Sequence, residues 1–293
     1  MADRSRLVSA SLSVGMLIAA MASIQVGATF AQRMFPLVGP QGASALRLIF
    51  GTAMLAIALR PWRARPTPAA WRVIVVYGAA MGVMNLMIYL AMSRIPLGVA
   101  VALEFTGPLG VALWGSRRRL DVVWVAIAVG GLVMLLPFGR AMAPLDPIGV
   151  AFALGAGVCW ALYITFGQKA GGHQGVQTTA LGMIVAAIVV IPIGIVHAGA
   201  ALLNPTAIAL GAGVGLLSTA LPYSLEMVVL TRLPARTFGI LMSLEPALGA
   251  LAGLALLGQK LSPTQWLAVG AVMAASAGAT ATAGPRTPIL TPD

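Results

Sequence analysis

Ten stretches of nearly uninterrupted apolar residues follow one another along the chain, at about 11–31, 42–59, 71–92, 97–115, 121–137, 147–167, 176–196, 206–230, 236–257 and 264–283. At a helix rise of 1.5 Å per residue, roughly 17 to 25 apolar residues cross the hydrocarbon core of a bilayer. Each stretch therefore reads as a transmembrane helix, and the gaps between them leave no room for a soluble domain. Composition agrees, since 59% of the 293 residues are hydrophobic and only 9% are charged, against about 25% charged in a water-soluble domain. So few charges cannot cover a surface that faces water, and a disordered chain would be polar. A disulfide framework is excluded as well, because Cys159, the only cysteine, lies inside the sixth apolar stretch. The expected fold is an all-α membrane protein of ten transmembrane helices.

A net charge of +11 raises the question of nucleic acid, and the positions of the charges answer it. The bases sit in short gaps between apolar stretches and not on one continuous polar face, which is the topogenic pattern of a membrane protein. No nucleic-acid partner is expected. With the N-terminus inside, thirteen bases fall on the cytoplasmic side: Arg4, Arg6, Arg60, Arg63, Arg65, Arg72, Arg117, Arg118, Arg119, Lys169, Arg232, Arg236 and Arg286. Four fall outside, Arg33, Arg94, Arg140 and Lys260, and the eighteenth, Arg47, lies within the second stretch. That bias predicts an even number of spans with both termini cytoplasmic. The run from Leu12 to Ala31 is longer than the apolar region of a typical secretory signal, so it reads as the first span.

The chain also repeats itself. A shift of 138 residues aligns Arg94-Ile95-Pro96 with Arg232-Leu233-Pro234, Leu103 with Leu241 and Pro108 with Pro246. A shift of 136 aligns Thr29-Phe30-Ala31-Gln32-Arg33 with Thr165-Phe166-Gly167-Gln168-Lys169. Two halves of five spans each follow, divided at about residue 140. An odd number of spans per half makes the second half enter the membrane from the opposite side, so the repeats are inverted. Inverted halves are an architecture of secondary transporters, whose site lies near the bilayer midplane between them; a duplication with another role is the alternative.

Of the seven acids, Asp3, Asp121, Asp146 and Asp293 lie at ends or loops, which leaves Glu104, Glu226 and Glu245 inside apolar stretches. A charged side chain at a helix centre costs about 2.5–3.5 kcal/mol on insertion scales, so these acids and Arg47 should avoid lipid. One reading is a buried Arg47–carboxylate pair that joins helices, with any leftover acid protonated. The other is a wet cavity in which Arg47 engages a substrate carboxylate while the acids engage its ammonium group or carry a proton. Glu104, Glu245 and Glu226 are the proton-coupling candidates. Pro108 and Pro246 stand mid-span at matched sites, and each removes the helical hydrogen bond to the carbonyl four residues earlier, that of Glu104 and of Met242. The freed carbonyls read either as ligand acceptors beside a hinge or as by-products of a packing kink. Gln25, Asn85, Tyr89, Tyr163, Tyr223 and Ser224 are candidates for a polar lining, and each could equally join helices. Gly78-x3-Gly82, Gly211-x3-Gly215 and Gly249-x3-Gly253 read as packing seams.

No Walker loop, His-Glu-x-x-His, Cys-x-x-Cys or Gly-x-Ser-x-Gly string occurs in the chain, so no enzymatic activity, metal or cofactor is expected. His173 and His197 lie at or near loops, and Cys159 reads as a small packing residue.

Longer strings carry a resemblance. Met21-Ala22-Ser23-Ile24-Gln25, Val101-Ala102-Leu103-Glu104-Phe105-Thr106-Gly107-Pro108-Leu109 and Ser218-Thr219-Ala220-Leu221-Pro222-Tyr223-Ser224-Leu225-Glu226-Met227 are similar to strings of the EamA-type members of the drug/metabolite transporter superfamily. So are Thr231-Arg232-Leu233-Pro234, Arg236-Thr237-Phe238-Gly239 and Glu245-Pro246-Ala247-Leu248. Within that superfamily the chain, from about Ala20 to Ala279, resembles the threonine/homoserine exporter branch. The resemblance implies two EamA-like repeats, 1–140 and 141–293, in a bacterial inner membrane, and efflux of small neutral amino acids in exchange for protons. Export of another small metabolite or a cationic drug is the alternative within the same superfamily. One departure stands out: many relatives carry Leu-Gly-Glu before the last span, and this chain carries Leu257-Gly258-Gln259.

Overall fold

Four helices begin on the same plan, a polar cap followed by proline. Thr67 Oγ1 accepts the Ala70 N–H at 3.2 Å, Asp146 Oδ1 accepts that of Ile148 at 2.8 Å, and Asn204 Oδ1 accepts that of Thr206 at 2.9 Å. Each satisfies an N–H that the first helical turn leaves unpaired, and the next residue, Pro68, Pro147 or Pro205, has no N–H to lose. Ser262 goes further with a reciprocal box: its Oγ accepts the Gln265 N–H at 3.2 Å while Gln265 Oε1 accepts the Ser262 N–H at 2.9 Å.

The computed structural model describes residues 2–114, 119–134, 145–174, 177–230 and 241–282, and among them the chain is all helical. The helices are α1 (Ala2–Leu59), α2 (Pro68–Met92), α3 (Leu97–Glu104), α4 (Thr106–Leu113), α5 (Arg119–Met134), α6 (Pro147–Gln174), α7 (Gln177–Ala198), α8 (Pro205–Gly215), α9 (Leu221–Leu230), α10 (Glu245–Leu257) and α11 (Pro263–Thr282). A 3₁₀ turn, Gly199–Leu203, follows α7, and a π-helical turn, Leu216–Ala220, joins α8 to α9. Five segments are long and apolar enough to cross a membrane: Leu12–Leu59, Pro68–Met92, Pro147–Gly167, Gln177–Leu203 and Pro205–Glu226. Leu97–Val111, Val122–Gly131 and Glu245–Leu257 are shorter apolar helices. The repeat partner Arg232-Leu233-Pro234, the start of the ninth expected span and the bases Arg117, Arg118, Arg140, Arg236 and Arg286 lie outside the described residues.

The first two expected spans meet without a loop. Leu12–Leu59 is 48 residues, about 72 Å if straight, more than twice the roughly 30 Å of a hydrocarbon core. It is not straight. Gly39, at φ 68° and ψ 170°, interrupts the helix between Pro36 and Pro40. In a straight helix Gly27 and Gly51 would stand about 36 Å apart. Yet a Cβ on Gly27 would overlap the Ser218 side chain, and one on Gly51 would lie 2.8 Å from Thr219 Cβ. Two glycines equidistant from Gly39 thus flank adjacent residues, so α1 is a helical hairpin folded back at Gly39. This φ/ψ region is open essentially to glycine alone, and another residue there costs about 1–3 kcal/mol. Gly39→Ala is expected to lower the thermal unfolding midpoint in detergent, while Gly213→Ala, where an added Cβ meets nothing within 4 Å, leaves it nearly unchanged.

Small residues set the distances between helices, since no hydrophobic force draws helices together in lipid and close backbone approach must serve instead. Gly82 faces Ala186 of α7, where a Cβ would sit 2.9 Å from Ala186 Cα. Gly211 lies against Leu46, and Gly215 against Phe50 and Gly51, so α8 is seated on the second arm of α1. Gly98 of α3 crosses α10 at Ala250, where a Cβ would come within 2.5 Å of Ala250 Cα. At a tighter crossing, a Cβ on Gly107 would run into the backbone of Gly157 in α6. The first two expected glycine seams hold such contacts, whereas Gly249 and Gly253 of the third face the side-chain amides of Gln25 and Gln259.

The fourth and ninth expected spans are broken. Helix α3 ends at Glu104 and α4 starts at Thr106, around a turn at Phe105. The ninth turns at Ser243 and Leu244, and α10 starts at Glu245. At the 138-residue shift Phe105 corresponds to Ser243, so the interruptions are matched. Both fall just before the prolines, which sit in the first turns of the following helices, where an absent N–H is tolerated.

Candidate functional site

Burial of charge locates the site. Arg47 is 8% exposed, Glu104 7%, Glu245 6% and Gln25 2%, in a chain whose membrane helices are otherwise almost without charge. They come from the two arms of α1, the end of α3 and the start of α10, which the hairpin at Gly39 and the crossing of Gly98 with Ala250 draw together. The two glutamates flank the two helix breaks from opposite sides: Glu104 is the last residue before the first, and Glu245 the first residue after the second.

Arg47 is anchored to the π-helical turn. Its Nε donates to Thr219 Oγ1 at 3.2 Å and its Nη2 to the Ser218 carbonyl at 2.9 Å. A π turn shifts the hydrogen-bond register and leaves carbonyls open to outside donors. The Leu217 carbonyl accepts Ser23 Oγ at 2.7 Å, and Ser218 Oγ donates to the Ile24 carbonyl at 3.3 Å. Both arms of α1 are thereby bonded to one turn. The guanidinium also lies 5.7 Å from the centre of the Tyr89 ring, within the range of a cation–π contact. No carboxylate of a described residue lies at ion-pair distance from Arg47, so of the two readings of this residue the buried pair finds no partner among the described residues, and neutral acceptors hold the guanidinium. Two of the five N–H donors of the guanidinium are spent on these bonds.

Gln25 Nε2 donates to Glu245 Oε1 at 3.2 Å, across 220 residues of sequence. Gln25 Oε1 and Glu245 Oε2 are buried with no partner among the described residues. Gly249, one turn beyond Glu245, gives the amide its space, since a Cβ there would lie 3.1 Å from Gln25 Oε1. The Glu104 carboxylate makes no hydrogen bond with a described residue and feels the charges of both Glu245 and Arg47. Its backbone carbonyl, freed by Pro108, lies against Gly157, where a Cβ would stand 2.8 Å away. That carbonyl faces the crossing with α6 and not an open space.

The remaining candidates fall in several places. Asn85 is buried and donates to the Met81 carbonyl at 2.8 Å; Tyr223 turns to the same residue, with Oη 3.8 Å from Met81 Sδ. Tyr77 and Tyr163 stack at 5.0 Å between centroids. Ser224 is exposed and returns its hydroxyl to the Ala220 carbonyl one turn back at 2.6 Å. Glu226 is half-buried on α9. Thr219, Ser218 and Ser23 hold the arginine and its turn; the one signal in the sequence is Pro222, which four residues on has no N–H for the Ser218 carbonyl.

At one end of the bundle a second polar group joins loops that the charge count puts outside. Gln32 Nε2 donates to the Met92 carbonyl at 3.1 Å, and Arg33 Nη2 to the Leu256 carbonyl at 3.0 Å. Gln259 Oε1 accepts the N–H of Leu97 at the start of α3 at 2.9 Å, while its Nε2 donates to Gln32 Oε1 at 3.0 Å. Arg94 Nη1 meets Asp146 Oδ2 at 2.7 Å, and this hydrogen bond holds the Asp146 carboxyl below the usual carboxylate range. Among the described residues no cluster of three or more His, Cys, Asp or Glu side chains is placed to hold a metal ion.

Residues 147–281 match the EamA-like transporter family. The chain is 53% identical over 271 residues to the threonine/homoserine exporter RhtA of Escherichia coli (strain K12), covering 92% of each protein. It is 52% identical to the protein of the same name in Salmonella typhimurium (strain LT2), again over 92% of each. The uncharacterized transporter YwfM of Bacillus subtilis (strain 168) is 26% identical, over 80% of this chain and 82% of that protein. A solved crystal structure shares the fold, with a TM-score of 0.62 and 18% identity, over 92% of this chain and 97% of that one.

Proposed function

Because the chain belongs to the EamA-like transporter family, on its threonine/homoserine exporter branch, we propose that it exports small neutral amino acids, threonine and homoserine among them, in exchange for protons. The observation that carries this reading is the buried charged cluster of Arg47, Glu104 and Glu245 in a membrane protein 53% identical to the threonine/homoserine exporter RhtA. A zwitterion needs a cation for its carboxylate and acceptors for its ammonium group. Arg47, fixed by Thr219 and Ser218, offers the first; Glu245 and Gln25 offer the second. Glu104, without a hydrogen-bond partner among the described residues, is the residue to take and give the proton, with Glu226 on the route between the site and one face. Asn85 and Tyr223 line the same region through Met81.

The architecture proposed with it is ten spans in two inverted halves, 1–140 and 141–293, in the inner membrane with both termini cytoplasmic. The matched breaks at Phe105 and Ser243, next to Pro108 and Pro246, support it. Alternating access follows, with the broken helices α3–α4 and α10 as the elements that shift.

The test is counterflow of labelled threonine in proteoliposomes, repeated with an imposed pH gradient. Saturable exchange that the gradient accelerates is the expected result. Absence of exchange in folded, inserted protein would return the substrate to another small metabolite or a cationic drug. Exchange indifferent to the gradient would remove the proton.

A further inference from the structure

We propose that Ser44 and Tyr89 read a hydroxyl group on the transported solute, and so decide which small amino acids the carrier accepts. The inference rests on the amino-acid reading above and adds to it the residues that choose among amino acids. Ser44 stands on the second arm of α1, three residues before Arg47 and on the same side of the helix, and is fully buried. Tyr89, on α2, is 1% exposed, with the Arg47 guanidinium 5.7 Å from the centre of its ring. Ser44 Oγ and Tyr89 Oη are both buried with no hydrogen-bond partner among the described residues. Buried hydroxyls in folded proteins are nearly always paired, so two orphans one helical turn either side of the same arginine contact call for an explanation. Ser44 leaves an easy local bond unused. Thr29, Ser93, Thr106, Thr165 and Ser224 all return their hydroxyls to a backbone carbonyl three or four residues earlier, at 2.6 to 2.8 Å, the common resort of a helical hydroxyl. Nor can Arg47 relieve Tyr89. A guanidinium only donates, so the phenolic proton would stay unused even if the arginine turned to its oxygen. Phe35, 6.0 Å from Tyr89 between ring centroids, offers no acceptor.

The chemistry of two unpaired hydroxyls names the group that suits them. Each can donate one hydrogen bond and accept others. A carboxylate would use their protons and leave their lone pairs, whereas an ammonium group would use the lone pairs and leave the protons. A solute hydroxyl accepts from one and donates to the other, which uses both capacities. The solute carboxylate has donors of its own, because three N–H groups of Arg47 remain after the bonds to Thr219 and Ser218. A carboxylate on those groups lies beside the Tyr89 ring that the guanidinium touches, and the solute side chain then extends among the residues around it. A methyl group in place of the hydroxyl would leave Ser44 and Tyr89 buried and unpaired. Sites built to bond a hydroxyl reject the analogue that lacks it by about 10⁴-fold or more, far beyond what a methyl-sized difference in an apolar pocket gives.

The experiment measures binding to the full chain in lipid nanodiscs by calorimetry, with two pairs of solutes that differ only by a hydroxyl for a methyl group. Threonine is paired with valine, and 1-amino-2-propanol with isobutylamine. The wild type is expected to bind the hydroxyl member of each pair about a hundredfold more tightly, or better. In Ser44→Ala and in Tyr89→Phe the ratio of threonine to valine affinity should fall about tenfold, as for one lost hydrogen bond, with threonine weakened and valine not. A merely structural role would weaken both members alike, and that result overturns the proposal. So does a wild type that binds threonine and valine equally, which leaves the amino-acid reading in place. Should Tyr89→Phe fail to fold, the ratio in Ser44→Ala decides, and an unchanged ratio counts against the proposal. If the amines are told apart and neither amino acid binds, the hydroxyl seat stands and the amino-acid reading falls. Binding of none of the four removes both.

Discussion

Replacing Glu104 by Gln is expected to reduce threonine counterflow on the order of a hundredfold or more, the lower range over which a positioned proton-transfer group acts, with the protein still inserted and folded. The substitution conserves volume and removes only the exchangeable proton. Its structural effect should be small, because the carboxylate has no hydrogen bond with a described residue to lose, whereas its carbonyl, fixed against Gly157, is untouched. Glu245→Gln should match it in rate and differ in cause, since it disturbs the contact with Gln25 as well. Initial rates normalised to inserted protein, taken with and without a pH gradient, separate the two. Full activity in both variants would remove the glutamates from the mechanism.

Gly107→Ala should be the most destabilising single methyl group tested. Its Cβ would drive into the Gly157 carbonyl, which is backbone and cannot swing aside. Overpacking in a filled core costs typically about 1–3 kcal/mol, and a backbone obstacle places this substitution at the top of that range or above. Gly110, one turn further along α4, is the control, because a Cβ there meets nothing within 4 Å. The unfolding midpoint in detergent should fall sharply for Gly107→Ala and hardly at all for Gly110→Ala. Equal midpoints would mean that the α4–α6 crossing has room for a methyl group.

Much of this was legible in the chain because membrane burial constrains composition so strongly. The apolar stretches and the acids within them stand out without any alignment, since lipid tolerates neither a charge nor an open backbone. The partners of those acids are another matter. For Arg47 the sequence leaves two readings open, a buried pair with a glutamate or a hold on a substrate carboxylate, and in the fold it is anchored by Thr219 and the Ser218 carbonyl. That carbonyl stands four residues before Pro222, which has no N–H to bond it, within the π turn of residues 216–220. Gln25 and Glu245 lie 220 residues apart, and only the folded crossing introduces them. Pro108 and Pro246 stand next to the broken helices, and the turns come two or three residues before them. Gly39 carries its own meaning only in three dimensions: a lone glycine between prolines reads as a loop, and it is the fold of a continuous hairpin.

The clasp at Gln259 runs in one direction. The glutamine accepts from the Leu97 N–H and donates to Gln32, and Gln32 in turn donates to the Met92 carbonyl. A glutamate at this position could accept the first bond but, once ionised, could not make the second. With two amides in line, none of the three bonds contains a group that titrates. These three bonds therefore hold with the same strength in acid and in alkali, and a change of acidity acting on them alone will not part α1, α3 and the end of α10 here.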